Sequence, residues 1–347
     1  FGFQNLGWYF PINDRYQTSV YANLYSRGSW GLRNDLDYAK RYGYSGRLSL
    51  GFQQFNSGFP TNIKRNKVTV SWNHRKAPKS NPFWDFSSNV NFISDNQSKN
   101  SLDPINPEYF SNSFNSDINL ARNFPGKPIN TGLKMSLRQN SLAKNISFTS
   151  PVLNVNVTRV FPFKDLFETA DKNWKKTIQR IGITYNLEAQ NRSQFADSLL
   201  TNGDFNAIGQ RLMNGVSQGI SIQTNTGLFK NAVKINPSLN YGNKINFQQI
   251  VKSYDPVANQ TQIDTLRQMA MRHELNFNLT ATTVLYAYYR FVGPKQARLR
   301  HLMTPNIGYR YTPGWNPLVT ANVGPNQAPI TYSPFERSIY SVGSVKE

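Results

Sequence analysis

Between residues 181 and 189 the chain alternates without a break: Ile181, Ile183, Tyr185, Leu187 and Ala189 are apolar, and Gly182, Thr184, Asn186 and Glu188 between them are not. Period two is the signature of a β-strand, because successive side chains point to opposite faces. The pattern recurs throughout. Leu48, Leu50 and Phe52 alternate with polar neighbours, as do Val68, Val70 and Trp72; Leu133, Met135 and Leu137; Leu153, Val155 and Val157; and Leu275, Phe277, Leu279 and Ala281. Each run predicts a strand with one apolar and one polar face. Segments of this kind begin near residues 3, 16, 29, 44, 66, 86, 114, 130, 145, 179, 216, 233, 247, 271, 284 and 300. That is roughly 14 to 16 strands, each about as long as a tilted membrane strand needs to be. The run over residues 145–160 reads either as one strand or as two short ones bent at Pro151.

Two kinds of sheet give this alternation: a soluble sandwich and a membrane barrel. Composition separates them. Only 38% of the 347 residues are hydrophobic and the mean hydropathy is −0.55, yet aromatics reach 14%. A wet lumen explains the polarity, and aromatic girdles at two membrane interfaces explain the tyrosines and phenylalanines. Asparagine is depleted in ordinary strands, but here Asn119, Asn154, Asn156, Asn186, Asn276 and Asn278 fall inside the alternating runs. A water-filled interior satisfies such amides. No run of about 18 apolar residues is present, which excludes helical membrane spans. The expected fold is therefore all-β: a large antiparallel transmembrane β-barrel over residues 1–347.

Three stretches break the alternation. Residues 77–84 and 94–113 read as polar loops, the longer one extracellular by the usual barrel asymmetry. Residues 161–178 place Leu166, Phe167, Ala170, Trp174 and Ile178 on one helical face, which predicts a helix packed on the rim or docking a partner. At the end of the chain, residues 341–347 do not alternate and lack a terminal aromatic. An open edge in lipid leaves backbone groups unpaired, so the last strands are expected outside this sequence, in chain that follows it or in another chain.

The chemistry of the chain points away from catalysis. There is no cysteine, and His74, His273 and His301 stand apart without metal-ligand spacing. No serine elbow or phosphate loop occurs, so neither an enzyme nor a metal or organic cofactor is expected. The net charge of +20 is scattered at one or two cations per strand rather than gathered in a patch. It fits an anionic membrane surface and does not predict a nucleic-acid partner.

The opening residues, Phe1 to Asp14, run into Tyr25-Ser26-Arg27-Gly28 and then Tyr38 and Tyr44-Ser45-Gly46. Later come Pro162-Phe163-Lys164, Arg300 to Tyr311, and Tyr332-Ser333-Pro334-Phe335-Glu336. In this order the motifs resemble the lipopolysaccharide-assembly barrels of the LptD or OstA family, in its Bacteroidete branch. The resemblance implies a Gram-negative outer-membrane translocon that places lipopolysaccharide in the outer leaflet. It implies a periplasmic jellyroll preceding this segment, an LptE-like plug lipoprotein, an LptA-like bridge protein and a lateral gate between first and last strands. Further lipoproteins and outer-membrane lipid are additional expected partners. Two family features are missing: the cysteines that join jellyroll to barrel, and the gate prolines, whose positions fall near Gln4 and Tyr21. Pro11 is expected in the first turn.

In such a barrel the polar phase lines the substrate path. Arg33, Asp35, Asp37, Arg47, Lys67, Lys134, Arg138 and Glu188 are the candidates, the cations for contact with glycolipid phosphates. They also serve simply to solvate the lumen. The first strand, with Phe3, Leu6, Gly7, Trp8 and Phe10, is the candidate seam; Gly2 and Gly7 either weaken it or mark bends or aromatic packing. Competing readings are a TonB-dependent importer, a type nine secretion translocon, or an adhesive β-protein without transport.

Overall fold

The structure is a computed structural model and describes residues 2–57, 63–94, 113–140, 143–168, 172–292, 298–315, 318–324 and 328–341. The strands are β1 (Gly2–Asn13), β2 (Tyr16–Tyr25), β3 (Trp30–Lys40), β4 (Tyr44–Asn56), β5 (Lys64–Lys76), β6 (Trp84–Ile93), β7 (Ser113–Asn123), β8 (Ile129–Asn140) and β9 (Asn145–Val160). Helix α1 (Asn173–Gln179) precedes β10 (Gly182–Ala196), and α2 (Asp197–Thr201) and α3 (Phe205–Gln210) follow it. Then come β11 (Met213–Gln223), β12 (Thr226–Leu228), β13 (Val233–Asn246), β14 (Gln249–Asp255), β15 (Gln260–Leu266) and β16 (Ala270–Thr283). The chain continues with β17 (Leu285–Arg290), β18 (Arg298–Met303), β19 (Asn306–Tyr311), β20 (Val319–Ala321) and β21 (Ile330–Tyr332).

Fifteen strands form one sheet, with neighbours in sequence order from β1 to β11 and then β13, β16 and β19; β12 pairs with β13. β1 and β19 are the two ends of this path. The pairs β14–β15, β17–β18 and β20–β21 are separate hairpins. The strands expected near residues 247, 284 and 300 are β14, β17 and β18 of these hairpins, whereas β12, β15, β19, β20 and β21 have no counterpart in the sequence reading, since three to seven residues give little alternation to read. β9 is a single strand through Pro151, so the two-strand alternative falls away. Pro11 lies within β1, opposite Gln17, and not in the turn. Of the helix expected over residues 161–178, the described residues show α1, with Leu166 and Phe167 outside it; Ala170 lies outside the described residues. Phe167 instead meets Trp174 edge-on, ring centroids 5.4 Å apart. Residues 95–112, most of the long polar loop, lie outside the described residues.

The chain packs as two units. Unit 1 comprises Phe1–Pro125, Asn130–Asn154 and Ala189–Asn214; unit 2 comprises Gly126–Ile129, Val155–Glu188 and Gly215–Glu347. Strand register assigns the faces, since residues directly opposite one another share a side of the sheet. In unit 1 one row runs Leu32, Phe52 and Val68 across β3, β4 and β5, and the next runs Leu50, Val70 and Phe92 across β4, β5 and β6. Leu120 faces Leu133, and Ile118 faces Met135. In unit 2, Ile222, Leu239, Phe277 and Tyr311 form one row across β11, β13, β16 and β19.

These apolar rows are not a core. Leu32, Leu50, Val68, Leu133, Met135 and Ile222 are all exposed, whereas among the described residues eight hydrophobic side chains are buried. A water-soluble monomer rarely exposes contiguous apolar surface beyond a few hundred Å². Burial of each such side chain in hydrocarbon is worth about 1.5–3 kcal/mol, so this face is suited to lipid. Along one margin of it runs an aromatic band. Tyr38 lies 6.4 Å from Tyr16, 6.1 Å from Tyr44 and 5.6 Å from His74, and Phe86 lies 5.1 Å from His74. The Trp72 indole donates to the Tyr38 hydroxyl, which also bonds His74 Nδ1, both at 2.8 Å. Amphipathic rings of this kind suit a membrane–water boundary.

Candidate functional site: the polar faces of the sheet

The register that assembles the apolar rows also assembles polar ones. On unit 1, Tyr21, Arg33, Gly51 and Thr69 lie side by side across β2 to β5, followed by Ser19, Asp35, Ser49 and Ser71, and then by Gln17, Asp37, Arg47 and Asn73. Lys67 stands opposite Gln53, itself opposite Gly31, two residues from Arg33. Lys134 joins the same face through Asn119, Ser87 and Arg75, and Arg138 follows it by the strand period. Seven of the eight residues that the sequence singles out therefore share one face of unit 1. Glu188 belongs to unit 2.

Their charges are unevenly matched. The Arg47 guanidinium grips Asp37 with two bonds, Nε to Oδ1 at 2.5 Å and Nη2 to Oδ2 at 3.0 Å. Arg33 pairs with Asp35 at 3.4 Å, and Ser49 donates to the same carboxylate at 2.6 Å. Lys134 reaches Asp117 at 3.6 Å. Asp117 was not among the sequence candidates, although it sits in the polar phase of β7 and could have been found there. Among the described residues, Lys67 and Arg138 form no ion pair. Arg33 and Lys67 both line a cleft of about 220 Å³, with Asn23, Gln53 and Asn91. Arg33 additionally stacks over the Tyr21 ring, 4.5 Å from its centroid.

The candidate seam residues all lie on β1, which is exposed along its full length and pairs only with β2 along the sheet path. Its register shifts between Phe3 and Leu6, where Asn5 takes a left-handed φ of 53° and donates its N–H to Asn23 Oδ1 at 2.7 Å. The bulge changes the phase of the strand. Phe3, Leu6, Trp8 and Phe10 consequently meet Leu24, Ala22, Val20 and Thr18 on the apolar face, and Gly7 meets Tyr21 on the polar one.

On unit 2 the polar face carries Ser221, Asn240 and Asn276 in one row and Gln223, Ser238, Asn278 and Arg310 in the next. Here it is partly covered. Phe335, Tyr332 and Ile250 are buried, and Ile250 N–H donates to the Pro334 carbonyl at 3.0 Å. Lys252 pairs with Glu336 at 2.7 Å. Tyr340 N–H reaches Asn246 Oδ1 at 3.3 Å, and its hydroxyl donates to the carbonyl and the carboxylate of Glu188 at 3.2 and 3.3 Å. Glu188 is thus held by a tyrosine 152 residues away. A second cleft, of about 800 Å³, is lined by three cations that sequence reasoning passed over: Arg159, Arg180 and Lys234. Lys234 stands in the polar phase of β13, a usable signal; Arg180 sits after a helix and gave none.

His74 belongs to the aromatic band, and His273 bonds Tyr241 and Asn243 at 2.8 and 3.0 Å. Among the described residues no cluster could hold a metal ion, and no helix is long and apolar enough to cross a membrane.

A wide antiparallel sheet with an exposed apolar face, an aromatic margin and a charged, asparagine-rich reverse is the wall of a transmembrane β-barrel. The family model described as LptD protein matches residues 1–347, and the chain belongs to that family. This places it in lipopolysaccharide transport, among outer-membrane transport components that work with other members of the same system, and not in a family of enzymes. A search of curated proteins found no match.

Proposed function

We propose that this chain forms the lumen wall of an outer-membrane translocon, along which lipopolysaccharide passes into the outer leaflet through a lateral seam bordered by β1. The observation that carries the reading is the sorting of charge on unit 1. One face is apolar, and on the other three cations are matched by aspartates while Lys67 and Arg138 have no ion partner among the described residues. A polar, net-cationic wall lowers the cost of moving a phosphorylated saccharide, while the apolar face keeps the wall in lipid. Family membership supports a plug lipoprotein of the LptE kind, a bridge protein of the LptA kind and a periplasmic jellyroll as parts of the same assembly. The position of β1 at the end of the sheet path supports its role at the seam.

The test is photocrosslinking in living cells with a benzophenone amino acid at Lys67, at Arg138 and, on the opposite face, at Val70. Lipopolysaccharide adducts at Lys67 and Arg138, with phospholipid adducts at Val70, are expected. Adducts with a nutrient-binding lipoprotein or a secreted protein at Lys67, and none with lipopolysaccharide, would replace this function with another barrel's.

A further inference from the structure

The 800 Å³ cleft of unit 2 is a site in its own right. Its floor is the polar face of two paired strands: Asn236 and Ser238 of β13 lie opposite Thr280 and Asn278 of β16. Lys234 precedes them in the same phase. One wall is Arg159, at the end of β9. Its aliphatic stem crosses Gly182 so closely that a β-carbon there would stand 2.6 Å from Arg159 Cδ. The glycine leaves the room that this arginine occupies. The other wall is Arg180, whose Nη1 donates to Asn225 Oδ1 at 3.3 Å. That wall is fixed to α1: Thr224 donates to the Thr177 carbonyl and Thr226 shares a hydroxyl bond with Thr177, both at 2.8 Å.

Three cations therefore line one cleft. Among the described residues, none of them has a carboxylate within 4.0 Å and no acidic side chain lines the cleft. Gathering like charges without counter-ions is unfavourable, and the deficit is removed when an anion enters. Guanidinium forks match phosphate and carboxylate oxygens. The surrounding amides and hydroxyls both donate and accept, which suits sugar hydroxyls. A volume of this order accommodates a ligand of several rings. We infer that Arg159, Arg180 and Lys234 form a binding site for an anionic saccharide. The inference rests on this face being the wet side of the wall, and not on which cargo the barrel carries.

The experiment is a thermophoresis titration of the full-length protein in its native complex, in detergent. The probe is glucose 1-phosphate, with glucose and inorganic phosphate alongside. Saturable binding of glucose 1-phosphate is expected, weakened at least tenfold by R180Q/K234Q and unchanged by K79Q in the turn after β5, with glucose below detection. Equal affinity in R180Q/K234Q, or equal affinity for glucose, would overturn the site. Inorganic phosphate binding as tightly as the sugar phosphate means an adventitious ion only, and overturns it too. Should the double variant fail to assemble, K234Q alone carries the test, with a loss of about threefold or more expected for one charge-assisted contact. Purified lipopolysaccharide and its delipidated saccharide then distinguish the source. A preference for the lipid-linked form, lost in the variant, assigns a headgroup; equal binding, also lost, assigns a free saccharide; binding of both that persists in the variant overturns the site. Failure here leaves the crosslinks at Lys67 untouched, so the two readings stand or fall separately.

Discussion

The Tyr21 ring lies flat on Gly7: a β-carbon at position 7 would stand 2.9 Å from two of its ring carbons. The two residues are direct cross-strand partners of β1 and β2, and the Arg33 guanidinium on β3 stacks over the same ring. Gly7 is therefore the place where the first strand admits an aromatic side chain. Gly7→Val should lower barrel stability by about 1–3 kcal/mol, the usual range for overpacking. Tyr21→Ala should suppress most of that loss in the double variant, because partners in contact are not additive. The check is the temperature at which the folded, fast-migrating band disappears on a semi-native gel. A strictly additive double variant would show that the ring and the glycine do not depend on one another.

Val70 and Ser71 are neighbours on β5 with opposite surroundings: Val70 sits between Leu50 and Phe92, and Ser71 between Ser49 and Asn91. Val70→Lys should cost about 2–4 kcal/mol if it lies near the bilayer midplane, the cost of a cation on the lipid face. Ser71→Lys should cost less than about 1 kcal/mol, as surface substitutions do. Equilibrium folding into lipid vesicles against guanidinium measures both. Equal costs would mean that the faces are wrongly assigned.

The Tyr38 hydroxyl accepts from Trp72 and bonds His74. Tyr38→Phe keeps the ring and removes these bonds, with an expected loss of about 0.5–1.5 kcal/mol. Trp72 emission should shift in the same variant, because its indole N–H must find water or lipid headgroups instead. An unchanged spectrum would show that the bond is absent in the membrane.

Lys252 and Glu336 are paired with side chains only 15% and 23% exposed, on a segment that covers part of the polar face of unit 2. Glu336→Gln leaves the ammonium without its counter-charge. Local opening of the segment from residue 330 to 340 is the expected result, without unfolding of β13 or β16. Hydrogen exchange followed by mass spectrometry should show faster exchange in the segment alone. Uniform acceleration across the sheet would make the pair part of the global fold.

How far the sequence reaches can be judged from particular strands. The alternation at Leu275 to Ala281 named both the strand and its two faces, because side-chain period and pleat are the same number. Lys67 and Arg138 could be assigned to the polar phase for the same reason. β1 shows the limit. Counting by twos from Phe3 puts Leu6 on the wrong side, and only the bulge at Asn5, fixed by its bond to Asn23, returns Leu6, Trp8 and Phe10 to the apolar face.

The sequence by itself determined the fold class, the two-faced strands and the charged wall, since each follows from local alternation and composition. It also carried the ordered motifs of the family. Tertiary structure alone decided which cations are matched and which are not. Asp35 and Asp37 each have several basic neighbours along the chain, and it is the register of β3 against β4 that sets Arg47 against Asp37. It also decided that Tyr340 reaches Glu188 and that Arg159, Arg180 and Lys234 line one cleft. Contacts across 152 residues leave no periodic trace in a sequence. They arise from how paired strands and the segments covering them fold back on one another, which no local pattern encodes.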